Sequence, residues 1–124
     1  MTDCVFCRAA KERTFLGNSL AVAIWDEFPV TPMHALIVPR RHAEDRFLLS
    51  SDEVAACDEL IRLVREIVRQ RDPSVDGFNI GENIGEVAGQ TVFHSHIHLI
   101  PRRRGDVEYP RGGIRHIIPG KGDY

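Results

Sequence analysis

Three histidines at alternate positions are the first feature that could do chemistry: His94, His96 and His98. They are half of the six histidines in a chain of 124 residues. A neutral imidazole can serve as a nucleophile, a metal ligand or a proton carrier near pH 7. Which of these roles is possible depends on whether the stretch is a strand or a helix, and on the groups that the fold brings beside it.

A strand accounts for the three histidines better than a helix does. In a helix only His94 and His98 would share a face, whereas side chains alternate along a strand and all three would share one. The opposite face of such a strand would be apolar, with Phe93, Ile97 and Leu99. We therefore predict a strand from Thr91 to Ile100 that stops at Pro101, with three imidazoles about 7 Å apart on one face.

A glycine-spaced loop precedes the histidines, with Gly81, Gly85 and Gly89 at four-residue spacing. It is not a Walker A loop, because the spacing differs and Gln90 stands where the lysine belongs. Glycines nevertheless let backbone N–H groups approach phosphate oxygens. The loop is therefore a candidate anion cradle, with a flexible hairpin connection as the alternative. For the histidines themselves, a bare surface row and a metal site built from all three stay open, although ligands along a flat strand converge poorly.

Cys4 and Cys7 form a Cys-x-x-Cys pair, which in a cytosolic chain is typical of zinc binding or redox chemistry. A thioredoxin-like motif follows a strand, and only three residues precede Cys4, so redox chemistry is disfavoured. Zinc needs two more ligands, for which His42 and His94 are candidates, and an unmetallated pair is the alternative. The third cysteine, Cys57, occupies an apolar position of a predicted helix and is interpreted as a small core residue.

These residues must be positioned by strands packed around one long helix. Alternating apolar residues predict strands at residues 20–25, 34–39, 78–80 and 91–100. Ser50 and Glu53 form a capping box, and the apolar stripe behind it predicts an amphipathic helix that ends before Pro73. Residues 1–12 are predicted to be a short polar lead, and residues 101–124 an arginine-, glycine- and proline-rich tail. The pattern predicts an α+β fold with a mostly antiparallel sheet.

Length, composition and charge describe one globular domain, residues 1–124. An apolar fraction of 43% and a charged fraction of 27% are ordinary for such a domain. The net charge of −2, without a basic helix, disfavours a nucleic-acid partner, and the sequence has no long apolar run for a membrane. The first residues lack the features of a signal peptide, which predicts a cytoplasmic location.

Taken together, these motifs resemble the histidine-triad (HIT) family. Residues 89–102 read GQTVFHSHIHLIPR and are similar to the family signature His-x-His-x-His-x-x, with its preceding Gly-Gln-Ser/Thr-Val and following Pro-Arg. Cys4–Cys7 is similar to the Cys-x-Phe-Cys of many members, and His34–His42 to their His-x-Leu-x-Val/Ile-Pro-x-x-His. The resemblance covers residues 4–104. It implies a five-stranded, mostly antiparallel sheet with one long helix and a shorter one, in a homodimer.

The resemblance also implies a role for each residue of the motifs. His96 is the implied nucleophile, which attacks the α-phosphorus of a nucleotide and forms a nucleotidyl-histidine that water hydrolyses. His98 contacts the phosphate and the leaving oxygen, while His94 and His34 complete the implied catalytic group. The implied substrate-binding residues are Asp26 for the ribose, Ile24 and Trp25 for the base, Asn83 and Thr91 at the phosphate, and Gly89 and Gln90 in the loop before it.

Zinc-bearing members imply a structural zinc ion held by Cys4, Cys7, His42 and His94. The implied function is hydrolysis of purine nucleotides at the α-phosphate, on dinucleoside polyphosphates such as diadenosine tri- or tetraphosphate. The tail shares Pro-Arg-x-x-Gly-Asp with fragile-histidine-triad-like hydrolases of such substrates. The alternative is a purine nucleotide-binding or adaptor protein with incidental nucleoside phosphoramidase activity.

The tail could extend the site beyond the α-phosphate. It begins with three consecutive arginines, Arg102, Arg103 and Arg104. Guanidinium groups bind phosphate in a bidentate manner, so we expect these arginines to meet the further phosphates of a polyphosphate chain. Contact with the dimer partner and a plain solvated extension are the alternatives.

Overall fold

The computed structural model describes residues 4–124, so the first three residues of the predicted lead lie outside the described residues. The elements in chain order are α1 (Val5–Glu12), β1 (Leu16–Gly17), β2 (Ala21–Trp25), β3 (Ala35–Pro39), α2 (Ser51–Arg71), β4 (Val75–Gly81) and β5 (Ile97–Arg103). Short 3-10 helices span Arg46–Leu48, Glu86–Ala88 and Gly113–Ile117. Within residues 4–124, no helix is long and apolar enough to cross a membrane.

The strands form a single five-stranded sheet in the order β1-β2-β3-β5-β4. Each pair of neighbours in this order is antiparallel. The central strand β3 is buried along its whole length between β2 and β5, which suits its continuous run of apolar residues. The predicted α+β fold, with a mostly antiparallel five-stranded sheet, one long helix and a shorter one, is confirmed.

The two helices cover opposite faces of the sheet, so the core has two parts. Because side chains alternate along β2, Ala21 and Ala23 pack in the cluster under α2, whereas Val22 and Ile24 pack in the cluster with α1. The long helix contributes Cys57, Leu60, Val64 and Val68 to its cluster. Cys57 is therefore the buried core residue that its position predicted, and burial raises the pKa of its thiol to about 11.

The start of α2 is bonded to the segment that follows β3. The Ser50 hydroxyl accepts a hydrogen bond from the Glu53 amide at 3.1 Å, and the Glu53 carboxylate accepts one from the Ser50 amide at 2.9 Å. The predicted capping box is thus confirmed, and the helix ends two residues before Pro73. The same carboxylate accepts two hydrogen bonds from the guanidinium of Arg41, at 2.8 and 3.0 Å. These bonds lower the pKa of Glu53 to about 2.

Three parts of the predicted secondary structure are wrong. Most of the polar lead is helix α1, and the short strand β1 was not predicted. The last strand begins at Ile97 instead of Thr91, and it continues through Pro101 to Arg103. Proline is tolerated there because β5 pairs with β3 only as far as Leu99 and is an edge on that side at Pro101.

Residues 91–96 leave the sheet because their polar groups bond elsewhere. The Ser95 amide donates to the carbonyl oxygen of Ala43 at 2.7 Å, in the segment that follows β3. Phe93, which was predicted to pack on the core, is 43% exposed. The alternation of apolar and polar residues therefore overstated the length of the strand at its N-terminal end.

Candidate active site

The three histidines of the triad stand in different surroundings. His98 alone lies within β5, and the predicted row of three on one strand face is wrong because His94 and His96 precede the strand. His94 is fully buried, with its Nδ1 atom 3.4 Å from the Sγ atom of Cys4. His96 and His98 line a cavity on the α1 side of the sheet, with ring centroids 5.3 Å apart.

The cavity has a volume of about 430 Å³ and brings together most of the predicted site residues. Those that line it are Asp26, His34, Asn83, Gly89, Thr91, His96 and His98. Its walls also include residues that were not assigned to the site, among them Phe6, Arg13 and Phe28. Only Phe6 had a signal in the sequence, as the aromatic residue within the cysteine motif.

Two residues predicted to bind the base lie away from the cavity surface. Ile24 is fully buried in the core cluster beneath it, together with Leu36. Trp25 points to the other face of the sheet, because neighbouring side chains of a strand alternate, and its ring stacks on Phe15 with centroids 3.9 Å apart. The structure does not bring either side chain into contact with the cavity.

Gln90, predicted to bind substrate, is buried and uses its amide to hold the glycine loop. Its Nε2 atom donates to the carbonyl oxygens of Glu44 at 2.7 Å and Val92 at 3.2 Å. Its Oε1 atom accepts from the Gly85 amide at 2.8 Å. Gly85 and Gly89 adopt φ angles of 88° and 92°, which side chains other than glycine rarely tolerate. Gln90 thus shapes the cavity wall and does not face the cavity.

The hydrogen bonds of His96 fix where its lone pair lies. Its Nδ1 atom is 2.8 Å from the carbonyl oxygen of His94. A carbonyl oxygen can only accept, so Nδ1 carries the proton and Nε2 carries the free lone pair of the neutral ring. The ring is held against Phe6, with centroids 4.6 Å apart. His96 is therefore a candidate nucleophile with its Nε2 atom unprotonated.

His34 and His98 form a second hydrogen-bonded unit with a defined proton order. The Val30 amide donates to His34 Nδ1 at 3.2 Å, so the proton of neutral His34 lies on Nε2. This Nε2 donates to His98 Nδ1 at 2.9 Å, which leaves the proton of His98 on its Nε2 atom. Burial lowers the pKa of His34, and burial together with the neighbouring histidines lowers the pKa of His98 to about 4. Both rings are therefore neutral at pH 7.

Asp26 borders this unit at the end of β2. Its Oδ2 atom lies 3.3 Å from His34 Nε2 and 3.9 Å from His98 Nδ1. Its Oδ1 atom accepts from the Phe28 amide at 2.8 Å. The carboxylate thus faces both the cavity and the histidine pair.

Four side chains meet as a candidate metal site at the N-terminus of α1. The ligand atoms of Cys4, Cys7, His42 and His94 all lie within 4.8 Å of one another. Three sulfur-to-nitrogen distances are 3.3, 3.4 and 3.5 Å. A tetrahedral zinc ion holds such ligand atoms roughly 3.5 Å apart, given Zn–S and Zn–N bonds of about 2.3 and 2.0 Å. The donor set and its spacing therefore fit zinc.

The tautomer of His94 suits the same site. Its Nε2 atom is 2.8 Å from the carbonyl oxygen of Pro39, so Nε2 carries the proton and Nδ1 offers a lone pair to a metal. The sulfur of Cys4 accepts from the Cys7 amide at 3.3 Å, which closes the first turn of α1. Burial also lowers the pKa of His94, which keeps the ring neutral as a metal ligand must be.

A second cluster, formed by Asp26, His34 and His98, is also compact enough for a metal ion. However, the histidine nitrogen that would face the ion carries a proton. The Val30 amide occupies the His34 Nδ1 lone pair, so the Nε2 atom that would face the ion carries a proton. A neutral imidazole offers one lone pair only. This cluster is suited to hydrogen bonding and not to metal binding.

The three consecutive arginines at the C-terminal end of β5 are paired with acids of the same chain. Arg102 donates to Asp106 at 2.8 and 2.9 Å and to Asn79 at 2.7 Å. Arg103 donates to Asp72 at 2.9 Å. Arg104 lies 3.2 Å from Asp76. None of these three arginines lines the histidine cavity, and Arg102 lines a neighbouring cavity with its guanidinium already paired.

Several known proteins resemble this chain in sequence. A HIT-like protein of Saccharolobus solfataricus is 38% identical over 102 residues, which are 79% of this chain and 73% of that protein. The adenylylsulfatase HINT3 of Arabidopsis thaliana is 31% identical over 117 residues, 91% of this chain and 59% of that longer protein. The adenosine 5'-monophosphoramidase of Schizosaccharomyces pombe is 30% identical over 104 residues, 81% of this chain and 74% of that protein.

Solved structures and a family model agree with this resemblance. A HIT family protein of Bacillus anthracis superposes with a TM-score of 0.76 at 31% identity, covering 84% of this chain and 76% of that one. A zinc-bound histidine-triad family protein of Mycobacterium smegmatis superposes with a TM-score of 0.75 at 32% identity, covering 85% and 78%. The model of the HIT domain matches residues 8–105. The chain belongs to the HIT family.

Proposed function

We propose that the protein hydrolyses purine nucleotides at the α-phosphate through a nucleotidyl intermediate on His96. The observation that carries the proposal is the hydrogen bond from His96 Nδ1 to the carbonyl oxygen of His94. It leaves the Nε2 lone pair free on a ring that lines the cavity. The hydrolase names of two relatives, an adenylylsulfatase and an adenosine monophosphoramidase, support the same class of reaction.

The first step forms one bond and breaks one. The lone pair of His96 Nε2 attacks the α-phosphorus, and the bond from phosphorus to the leaving oxygen breaks, with its electron pair on that oxygen. The ring becomes positively charged and keeps its proton on Nδ1. The hydrogen bond from this Nδ1–H to the His94 carbonyl oxygen stabilises the charge. Water then attacks the same phosphorus, the bond to Nε2 breaks, one proton passes to solvent, and neutral His96 returns.

Asn83, Thr91 and the loop at Gly89 would bind the phosphate, and the support for this role is that all three line the cavity with His96 and His98. Asp26 and the neighbouring walls would bind the ribose. His98 would donate its Nε2 proton in a hydrogen bond to a phosphate or leaving oxygen, because its Nδ1 atom already accepts from His34. These roles rest on the position of each group relative to His96.

The neutral state of the His98 ring at pH 7 favours dinucleoside polyphosphates as substrates. A departing phosphate needs no proton, whereas a departing amine must gain one as its bond to phosphorus breaks. His98 is neutral at pH 7 in the free protein, since its pKa is lowered to about 4. We therefore infer that anhydrides such as diadenosine tetraphosphate are cleaved faster than phosphoramidates.

Cys4, Cys7, His42 and His94 would hold a structural zinc ion, and zinc supplies folding energy when four protein ligands close its coordination. Through these four ligands the chain would hold the first turn of α1 and the segment before His96 in place.

We also propose a homodimer, because the β4 edge of the sheet is unpaired within residues 4–124 and Ile80 on it is exposed. Residues 1–124 would act as one HIT domain in the cytoplasm, without a nucleic-acid or membrane partner.

The second candidate function is a purine nucleotide-binding or adaptor protein with incidental phosphoramidase activity. It is favoured by the monophosphoramidase among the relatives. Such a protein would need the cavity and not the nucleophile, so a change at His96 would leave its main activity in place.

The distinguishing experiment compares the parent protein with His96→Ala on diadenosine tetraphosphate and adenosine 5'-phosphoramidate. We expect kcat to fall by at least about a thousandfold, since a tenfold change is only about 1.4 kcal/mol of barrier and loss of a nucleophile removes far more. Binding of adenosine monophosphate should stay within a few fold. Turnover by His96→Ala within tenfold of the parent would contradict the proposed nucleophile.

A further inference from the structure

A second cavity, of about 610 Å³, lies beside the histidine cavity, and we refer to it as the tail cavity. One side of it comes from the sheet, through Asn79, Ile100 and Arg102. The opposite side comes from the C-terminal tail, through Val107, Tyr109 and Ile114. Its volume is in the range of small-molecule sites. The tail residues that line it lie beyond residue 105, where the family match ends.

The two cavities are neighbours along one face of the sheet. Val30 lines both of them, and its amide holds His34. Ile100 follows His98 by two positions in β5, so it faces the same side at a distance of about 7 Å along the strand. The Thr31 hydroxyl donates to the Pro101 carbonyl oxygen at 2.8 Å, which fixes the loop between the cavities. The tail cavity is therefore close enough for a ligand with its α-phosphate at His98 to extend into it.

The charges within the tail cavity are already neutralised. The guanidinium of Arg102 gives its hydrogen bonds to Asp106 and Asn79, which lowers the pKa of Asp106 below its usual range. A phosphate would have to break this pairing, whereas an uncharged ring would not. Tyr109 and Ile114 supply apolar surface, and Thr31 adds a polar group at the entrance. The lining therefore suits a flat, uncharged heterocycle with its sugar.

We propose that the tail cavity binds the leaving nucleoside of a dinucleoside polyphosphate whose α-phosphate is held at His96. The proposal rests on the proposed function for the position of that phosphate. It replaces the expectation that the arginines at the C-terminal end of β5 bind the further phosphates. Specificity for the leaving group comes instead from the nucleoside at its far end.

The test uses two matched variants of the 3-10 helix Gly113–Ile117. Ile114 lines the tail cavity and is 57% exposed, whereas Ile117 does not line it and is 77% exposed. Ile114→Trp should fill the cavity, and Ile117→Trp should not, although both add the same group to the same helix. His96→Ala is added to each protein so that bound nucleotides are not consumed.

Affinities for diadenosine tetraphosphate and adenosine monophosphate are then measured by calorimetry. We expect Ile114→Trp to weaken binding of the tetraphosphate at least tenfold and to leave adenosine monophosphate within twofold, which also reports an intact fold. Ile117→Trp should leave both unchanged. Equal affinity of the Ile114→Trp and Ile117→Trp proteins for the tetraphosphate would overturn the proposal, whether or not the parent is a hydrolase.

Kinetics of the variants with His96 intact separate this proposal from the proposed function. Ile114→Trp should raise KM for diadenosine tetraphosphate at least tenfold while kcat/KM for adenosine 5'-phosphoramidate stays within twofold of the parent. A parent that cleaves the phosphoramidate but not the tetraphosphate would overturn the nucleoside site and leave hydrolysis at the α-phosphate standing.

Discussion

At the scale of single residues, backbone groups give chemically identical imidazoles different tasks. His94 donates a hydrogen bond from Nε2 to one backbone carbonyl oxygen, and His96 donates one from Nδ1 to another, so each bond fixes which nitrogen carries the proton. A backbone amide places the proton of His34 on Nε2, which in turn orders His98. The result is one lone pair that faces the candidate metal site, one lone pair that faces the cavity and one N–H donor that faces the cavity, within five residues of chain. Each tautomer follows from one partner, so each can be tested separately.

The low pKa of His98 predicts how leaving groups respond to pH. The pKa is lowered to about 4, chiefly by burial, so the protonated fraction of His98 grows as the pH falls toward 4. Only an amine leaving group needs that proton. The ratio of kcat/KM for adenosine 5'-phosphoramidate to kcat/KM for diadenosine tetraphosphate should therefore rise as the pH falls from 8 to 5, by up to about tenfold per unit.

The ratio is the informative quantity because the requirement for unprotonated His96 is common to both substrates and cancels. Reactions without enzyme at each pH correct for the acid lability of the phosphoramidate. In His98→Asn the ratio should be flat. A flat ratio in the parent protein would mean that His98 does not set the choice of leaving group.

At the scale of elements, α1 connects the candidate metal site to His96, the proposed nucleophile. Its N-cap residue Cys4 belongs to the four-ligand cluster, and two residues later Phe6 packs against the rings of His94 and His96. A metal ion that fixes this turn would also fix the wall of the cavity. Local stability and the orientation of His96 should therefore depend on the same ligands.

We expect protein purified without added metal to contain one zinc ion per chain by elemental analysis. Cys4→Ser combined with Cys7→Ser should remove it and lower Tm by at least about 8 °C, since a loss of more than 2 kcal/mol shifts a domain of this size by roughly 4 °C per kcal/mol. Cys57→Ala changes a cysteine outside the cluster and should keep its zinc. A metal-free parent whose Tm matches that of the double variant would rule out a structural metal.

The start of α2 allows a second prediction about an element, because Glu53 joins the helix cap to Arg41. Glu53→Gln should reduce the free energy of unfolding by about 1.5–3 kcal/mol at pH 7, the usual range for hydrogen bonds to a charged group. Glu66, in an exposed pair with Arg65 on the same helix, is the matched control, and Glu66→Gln should cost less than about 0.5 kcal/mol. Urea unfolding measures both.

The difference between Glu53→Gln and the parent should also depend on pH in a defined direction. The pKa of Glu53 is lowered to about 2, so its contribution to stability is complete above about 4.5 and is lost as the pH falls toward 2. A difference that is the same at pH 7 and pH 2.5 would show that the loss at pH 7 comes from packing instead of charge.

At the scale of the whole molecule, the sequence predicted what local patterns determine. The capping box at Ser50 and Glu53 involves residues three apart, and the strand predicted at 34–39 and observed at Ala35–Pro39 is a continuous apolar run after His34, so both were found. The resemblance of short motifs to one family predicted a five-stranded, mostly antiparallel sheet and most of the residues that line the histidine cavity.

The remaining features depend on partners that are distant in sequence. His94 turns away from the other histidines because the carbonyl oxygen of Pro39, 55 residues earlier, accepts a hydrogen bond from its Nε2 atom. Gln90 points into the protein because Glu44 accepts from it, and Arg103 is occupied by Asp72. The sequence shows each of these side chains but not the packing that selects its partner. The arginines were therefore assigned to phosphate when acids of the same chain already hold them.

The central claim is that cleavage proceeds through a covalent bond between His96 Nε2 and the α-phosphorus. Two in-line displacements at that phosphorus each invert its configuration, so the net result is retention, whereas direct attack by water inverts it once. The most direct test hydrolyses a dinucleoside polyphosphate bearing a sulfur of known configuration on the α-phosphate, in ¹⁸O-labelled water. A covalent intermediate on His96 predicts a nucleoside phosphorothioate product with retained configuration at phosphorus. Inversion would show that water attacks directly and would contradict a nucleotidyl-His96 intermediate.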